Sequence, residues 1–125
     1  MAASERYLLQ DTRTERALAT QLELARTPWT RLRGLLGRSG LGDGEGIWLE
    51  PSSSIHTAFM RFSIDVLFVD RDHRVLRCVH ALRPFRVAVA RGTRSIVELP
   101  AGTLRDTDTH VGDVLEMRPA EPEPT

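Results

Sequence analysis

Ser53-Ser54-Ile55-His56-Thr57-Ala58-Phe59-Met60-Arg61-Phe62-Ser63-Ile64-Asp65-Val66-Leu67-Phe68-Val69-Asp70 contains the densest apolar run of the chain. From Ile64 to Val69 every position except Asp65 is apolar. A strand with one wet face alternates polar and apolar residues, so this pattern predicts an interior strand covered on both faces. Asp70-Arg71-Asp72-His73 is turn chemistry, and Val75 to Leu82 is the returning strand of a hairpin.

Working outward, Tyr7 to Gln10 reads as an edge strand, followed by a polar turn over residues 11 to 16. Leu18, Thr20, Leu22 and Leu24 alternate with Ala19, Gln21 and Glu23, the period of a half-buried strand. One helix is predicted near residues 28–36, with Thr27 as cap, Pro28 at the first helical position and Gly37 as left-handed stop. Trp29, Leu32, Leu35 and Leu36 gather on one face of that helix. Ile47-Trp48-Leu49 is a short strand closed by Pro51, and Trp29 and Trp48 read as core. Phe85, Val87 and Val89 alternate in an arm after Pro84. Residues 94 to 99 form a further strand, residues 103 to 110 a polar excursion, and residues 114 to 117 the last strand. Many short strands separated by turn residues predict an all-β fold, a compact β-sandwich or partly closed barrel with that one short helix. A single domain over residues 7–117 is expected, with a proline- and glutamate-rich disordered tail at 118–125.

The chain has 125 residues, enough for one core, and its 17 basic residues, all arginine, balance 17 acids. Without lysine no Schiff-base chemistry is available, and without a net field no nucleic-acid partner is expected. Charge is nevertheless segregated. Arg71, Arg74, Arg77, Arg83, Arg86, Arg91 and Arg94 stand against Asp72 alone, whereas the chain beyond Glu98 is acid-rich. That segregation fits either neighbouring segments that neutralise each other or an anion-binding face. The single Cys78 cannot form an internal disulfide. No apolar leader and no run of membrane-spanning length occurs, so a soluble, cytoplasmic protein is expected. The glycines at 40, 42, 44 and 46 lack phosphate-loop spacing and read as turns.

The order of signals resembles the bacterial and archaeal family called domain of unknown function 192. It is carried by Arg33-Gly34-Leu35-Leu36-Gly37-Arg38, by Glu45-Gly46-Ile47-Trp48-Leu49, and by Ile55-His56-Thr57, Met60-Arg61-Phe62 and Ile64-Asp65-Val66-Leu67-Phe68-Val69-Asp70. Val97-Glu98-Leu99-Pro100-Ala101-Gly102 and Gly112-Asp113 complete it. The resemblance covers about residues 7 to 117 and implies a β-sandwich with no established activity. Related sequences often carry cysteine where this chain has Ser52, so a metal or redox role built on that cysteine does not transfer. Ala58 also departs from the bulky or glycine residue common there, and some relatives carry export signals that this sequence lacks.

The first candidate site is His56, Thr57, Arg61 and Asp65. A histidine titrates near neutrality, a carboxylate can orient it, and an arginine can hold an anionic oxygen. Such a set fits recognition of a small anionic ligand or protein partner, acid–base work, or internal pairing that supports the loop. Cys78 and His80, two apart on a strand, are weak candidates for metal ligands on a face shared with Leu76 and Leu82. Glu98 is a candidate second carboxylate beside Asp65 if their strands adjoin. No cofactor is called for. The preferred expectation is a non-enzymatic module that binds a ligand or partner around His56, Thr57, Arg61 and Asp65. The alternative is a hydrolase-like enzyme with His56 as base and Asp65 or Glu98 as partner, acting on a carboxylate, phosphate or glycan.

Overall fold

The computed structural model describes residues 5–26, 40–57 and 61–120, with the His56 side chain outside that description. The helix expected near residues 28–36, Trp29, Ala58 and the end of the tail likewise lie outside the described residues. The strands are β1 (Tyr7–Asp11), β2 (Ala17–Ala25), β3 (Glu45–Leu49), β4 (Ser54–His56) and β5 (Ile64–Val69). They continue as β6 (Val75–Leu82), β7 (Val87–Val89), β8 (Ser95–Pro100) and β9 (Leu115–Pro119), with a single-turn helix α1 (Thr103–Asp106) before β9. The fold is all-β, as the strand patterns predict.

Seven strands make one sheet in the order β6-β5-β8-β3-β2-β1-β9, and β4 pairs with β7 as a separate ribbon. Neighbours run antiparallel except β2 and β3, which are parallel from Gln21 opposite Glu45 to Ala25 opposite Leu49. The sheet curls until its two edges meet at one end. There Arg74 bridges Val114, the Val75 amide donates to the Asp113 carbonyl at 2.8 Å, and the Leu115 amide donates to the His73 carbonyl at 2.9 Å. Of the two architectures expected, the partly closed barrel is the one that forms, because right-handed twist accumulates across seven strands until the edges approach.

All six residues of β5 are buried, and strand alternation divides them between two cores. Leu67 and Val69 join Leu9, Leu22, Val97 and Leu99 in a cluster drawn from every strand of the sheet, as the enclosed face of a curled sheet must be. Leu104 of α1 is buried in the same cluster. Ile64, Val66 and Phe68 join Ile47, Leu49 and Ile96 on the other face, where Ile55 and Ala88 of the ribbon cover them. Each of the larger aliphatic or aromatic side chains here stabilises the fold by about 1.5–3 kcal/mol through burial. Trp48 is buried in the first cluster, edge-on to His73 with centroids 5.0 Å apart, which places it in the core as expected.

Four expectations are corrected. β1 is not an edge strand: it pairs with β2 on one side and with β9 on the other. The polar excursion at 103–110 contains α1, a helix too short to show periodicity around its one apolar residue. Arg118 and Pro119, assigned to the tail, continue β9 and pair with Leu8 and Tyr7. β6 also carries register shifts against β5 where strict alternation was expected. Cys78, opposite Leu67, therefore packs on the first cluster, whereas Leu76 and Leu82 pack on the second. The face predicted to hold Leu76, Cys78, His80 and Leu82 together is split by these irregularities.

Candidate functional site

The backbone of His56 pairs with Val87 in the ribbon. Thr57, at the ribbon's end, is fully buried. Its hydroxyl donates to the Arg83 carbonyl at 2.7 Å and accepts from the Arg86 amide at 2.8 Å. Its own amide donates to the Arg86 carbonyl, and its carbonyl accepts from the Phe85 amide. Four backbone groups of the turn at 83–86 are thus tied to one residue, and Thr57 acts as the anchor of the arm.

Asp65 sits at the start of β5, also fully buried. Oδ1 accepts from the Ala81 amide at 2.8 Å, and Oδ2 accepts from the amides of Gly102 at 3.1 Å and Leu104 at 2.9 Å. Ala81 has a positive φ of 50° at the β6 irregularity, so its amide is turned out of the ladder and needs another acceptor. The first amides of a helix likewise have no partner within it. One carboxylate answers all three donors, which is why a charged residue stands inside an apolar strand.

Of the four residues expected to converge, the three whose side chains are described lie apart. Thr57 belongs to the ribbon, on the sheet face covered by Ile55 and Ala88, and Asp65 shares the opposite face with Leu67 and Leu99. Arg61 is exposed. Glu98 does lie on the neighbouring strand, but it stands opposite Val66 while Asp65 stands opposite Leu99. Facing residues share a face, so the two carboxylates point to opposite sides of the sheet and cannot form a catalytic pair. Glu98 is buried there and already engaged.

His80 is exposed and Cys78 half-buried, with Sγ 4.0 Å from the Thr109 carbonyl. Burial, reinforced by the charges of Asp113, Asp65 and Asp11, pushes the Cys78 thiol up to about 11, which disfavours the thiolate at neutral pH. Among the described residues no group of three or more histidine, cysteine, aspartate or glutamate side chains is gathered to hold a metal.

The arm that Thr57 anchors presents a different surface. Val87 and Val89 are 71% and 56% exposed on the outer side of the ribbon, Ala88 between them is buried, and Phe85 in the turn before β7 is 74% exposed. Phe85 holds a left-handed φ of 62°, a conformation that costs a bulky residue about 1–3 kcal/mol. Arg83, Arg86 and Arg91 around them are exposed as well. Alternation at 85, 87 and 89 was legible in the sequence, but not that the apolar side faces out.

A second polar cluster was missed because its members are about a hundred residues apart. Asp11 and Asp113 are both buried where β1 meets the loop before β9. Arg13 Nε donates to Asp113 Oδ1 at 2.8 Å, Arg13 Nη2 donates to the Asp108 carbonyl, and His110 Nε2 lies 2.7 Å from Asp108 Oδ1. Burial, and then the neighbouring Asp113 carboxyl, push the Asp11 carboxyl up to about 6. Burial opposes ionisation of Asp113 too. Hydrogen bonds from Arg13 and the His110 backbone nevertheless hold its carboxyl well below the usual range. Asp11 Oδ1 accepts from the Arg13 amide at 2.9 Å, while its buried Oδ2 has no hydrogen-bond partner among the described residues.

Comparison with known proteins agrees with this architecture. The family model of domain of unknown function 192, described as "Uncharacterized ACR", matches residues 9–117. A UPF0127 protein of Thermococcus sibiricus is 33% identical over 115 residues, covering 83% of this chain and 73% of its own length. A UPF0127 protein of Pyrococcus furiosus is 38% identical over 66 residues, 52% of this chain and 56% of that one. Two crystal structures share the fold at 24% identity. One, from Sinorhizobium meliloti and described as a candidate transcription regulator, has a TM-score of 0.78 over 92% of this chain and 94% of its own. The other, a protein of unknown function from Novosphingobium aromaticivorans, has a TM-score of 0.76 over 92% and 93%. At that identity the likeness carries the fold alone.

Proposed function

The chain belongs to the domain of unknown function 192 family, and from that premise we propose that it is a non-enzymatic partner-binding module whose binding face is the outer side of the β4–β7 ribbon. The observation that carries this reading is the exposure of Phe85, Val87 and Val89 among Arg83, Arg86 and Arg91. Scattered apolar residues on a surface need no explanation, but two in alternation on one strand beside an exposed phenylalanine held in a strained turn form a patch with a use. Thr57 takes part as the anchor that sets the arm's shape, and His56 through its backbone. Asp65 holds the fold behind them. Both carboxylates considered for acid–base work are occupied on opposite faces, which favours binding over catalysis. Among the described residues no helix is long and apolar enough to cross a membrane, and a cytoplasmic location is part of this reading.

The test is site-specific photocross-linking in cells. A benzophenone amino acid in place of Phe85 or Val87 is expected to give discrete adducts that disappear in an R83E/R86E background, while the same group at exposed Arg71 gives none. Absence of adducts at 85 and 87, or the same pattern at 71, would contradict the proposal.

A further inference from the structure

Resting on that reading of the ribbon as a partner face, we infer that its occupant is an extended peptide segment of another protein, alternating apolar and acidic residues, that adds as a strand to the free edge of β7. The backbone geometry makes the first half of the case. Ser54 faces Val89, Ile55 faces Ala88 and His56 faces Val87 in an antiparallel register. Next along, Arg86 turns both of its backbone groups toward Thr57, its carbonyl accepting from the Thr57 amide at 2.8 Å and its amide donating to the Thr57 hydroxyl at 2.8 Å. Hydrogen-bonded and non-bonded pairs alternate along such a ladder. Arg86 and Ala88 therefore turn their amides and carbonyls toward β4, and Val87 and Val89 turn theirs away. The Val89 carbonyl gives the direction and is itself already engaged, accepting from Arg77 Nη1 at 2.6 Å on that outer side, so an incoming strand meets the Val87 amide and carbonyl and the Val89 amide. Among the described residues β7 has β4 for a neighbour and no second strand. Unpaired strand edges of this kind are templates for another strand.

Charge and side chains select the occupant. No acidic residue lies between His73 and Val97, and Arg83, Arg86 and Arg91 are exposed around the edge although the whole chain is neutral. A second copy laid edge to edge would set arginine against arginine, so self-pairing is disfavoured and an acidic strand is attracted. Val87 and Val89 offer alternate apolar contacts, with Phe85 exposed in the turn beside them, and an incoming strand meets these with its own apolar side chains. An anionic lipid surface would satisfy the arginines and the apolar residues but leave the outward amides without a partner.

The experiment uses the full chain and a fluorescein-labelled Glu-Val-Glu-Val-Glu-Val peptide, with its Lys-Val and Glu-Gly counterparts as controls. The Glu-Val peptide is expected to raise anisotropy on binding, to bind at least tenfold more tightly than either control, and to weaken as salt is raised. It should also slow hydrogen exchange at the Val87 and Val89 amides. V87P removes an outward amide while leaving the pairing with β4, and is expected to weaken binding at least tenfold. R83E/R86E, which touches no hydrogen bond of the ladder, is expected to do the same. Equal binding by V87P and wild type with unchanged exchange at 87 and 89 would overturn strand addition. So would binding to phosphatidylglycerol vesicles without binding to the peptide, or dimerisation through β7. Persistent cross-links at Phe85 alongside such a failure would leave the partner-face reading standing; loss of both would remove both.

Discussion

At the scale of single residues, Asp65 shows how a chemically suggestive side chain can be wholly committed to architecture. The sequence places it at the head of an apolar strand near a histidine, a threonine and an arginine, which invites a reading as a site. What the sequence does not display is the demand for acceptors from Ala81, Gly102 and Leu104, residues 16 to 39 positions away that only the fold brings in. Asp65→Ala leaves three inward amides without their acceptor, and each buried unsatisfied donor costs about 1–3 kcal/mol. Urea unfolding of that variant is expected to show a loss of about 3 kcal/mol or more. Thr57 was legible as a polar residue with work to do, but its partners at 83 and 86 were not, because the turn they form has no sequence signature beyond Pro84.

Elements were readable in proportion to the length and purity of their patterns. β5, continuous in apolar residues, was found as an interior strand, and β6 followed as its hairpin partner. α1 was missed because four residues with one leucine present no period. The faces of β6 were misread because irregularities at Leu76 and at Ala81 interrupt its alternation, and nothing local marks either. Gly46 in β3 shows another constraint that pattern alone does not reveal. A Cβ there would lie 2.9 Å from Leu99 Cδ2, 3.1 Å from Leu22 Cδ1 and 3.3 Å from the Ala19 Cβ, inside the enclosed core. Gly46→Ala is expected to destabilise the protein by about 1–3 kcal/mol through overpacking, read as a lowered urea midpoint with unchanged slope. A stability equal to or above wild type would show that the core there is looser than the contacts state.

The whole molecule depends on contacts that no local reading reaches: the parallel pairing of β2 with β3, the insertion of β1 between β2 and β9, and the closure of the barrel near Asp113. The buried pair at that closure makes the molecule's stability depend on pH in a definite direction. The Asp11 carboxyl, raised from 3.8 to about 6, contributes stability that is complete below its unfolded value and is lost as pH rises through about 6. Asp113, depressed, contributes stability that is present above its unfolded value and is lost as pH falls toward its folded one. Their joint contribution is thus greatest near pH 4 and declines toward pH 7. Asp11→Asn removes the titrating group, so the difference in urea midpoint between this variant and wild type is expected to grow in the variant's favour from pH 4 to pH 7. A difference that stays constant over that range would mean that burial does not raise the Asp11 carboxyl.

The account rests on a division of labour: Asp65 holds the molecule together, and the apolar side chains of the arm face outward for a partner. Thermal unfolding of Asp65→Ala and of F85S/V87S, measured side by side, tests it most directly. The account predicts a fall of about 10 °C or more for the first and of less than about 3 °C for the second, on the usual relation between stability and midpoint for a domain of this size. A large fall for F85S/V87S, or none for Asp65→Ala, would contradict it.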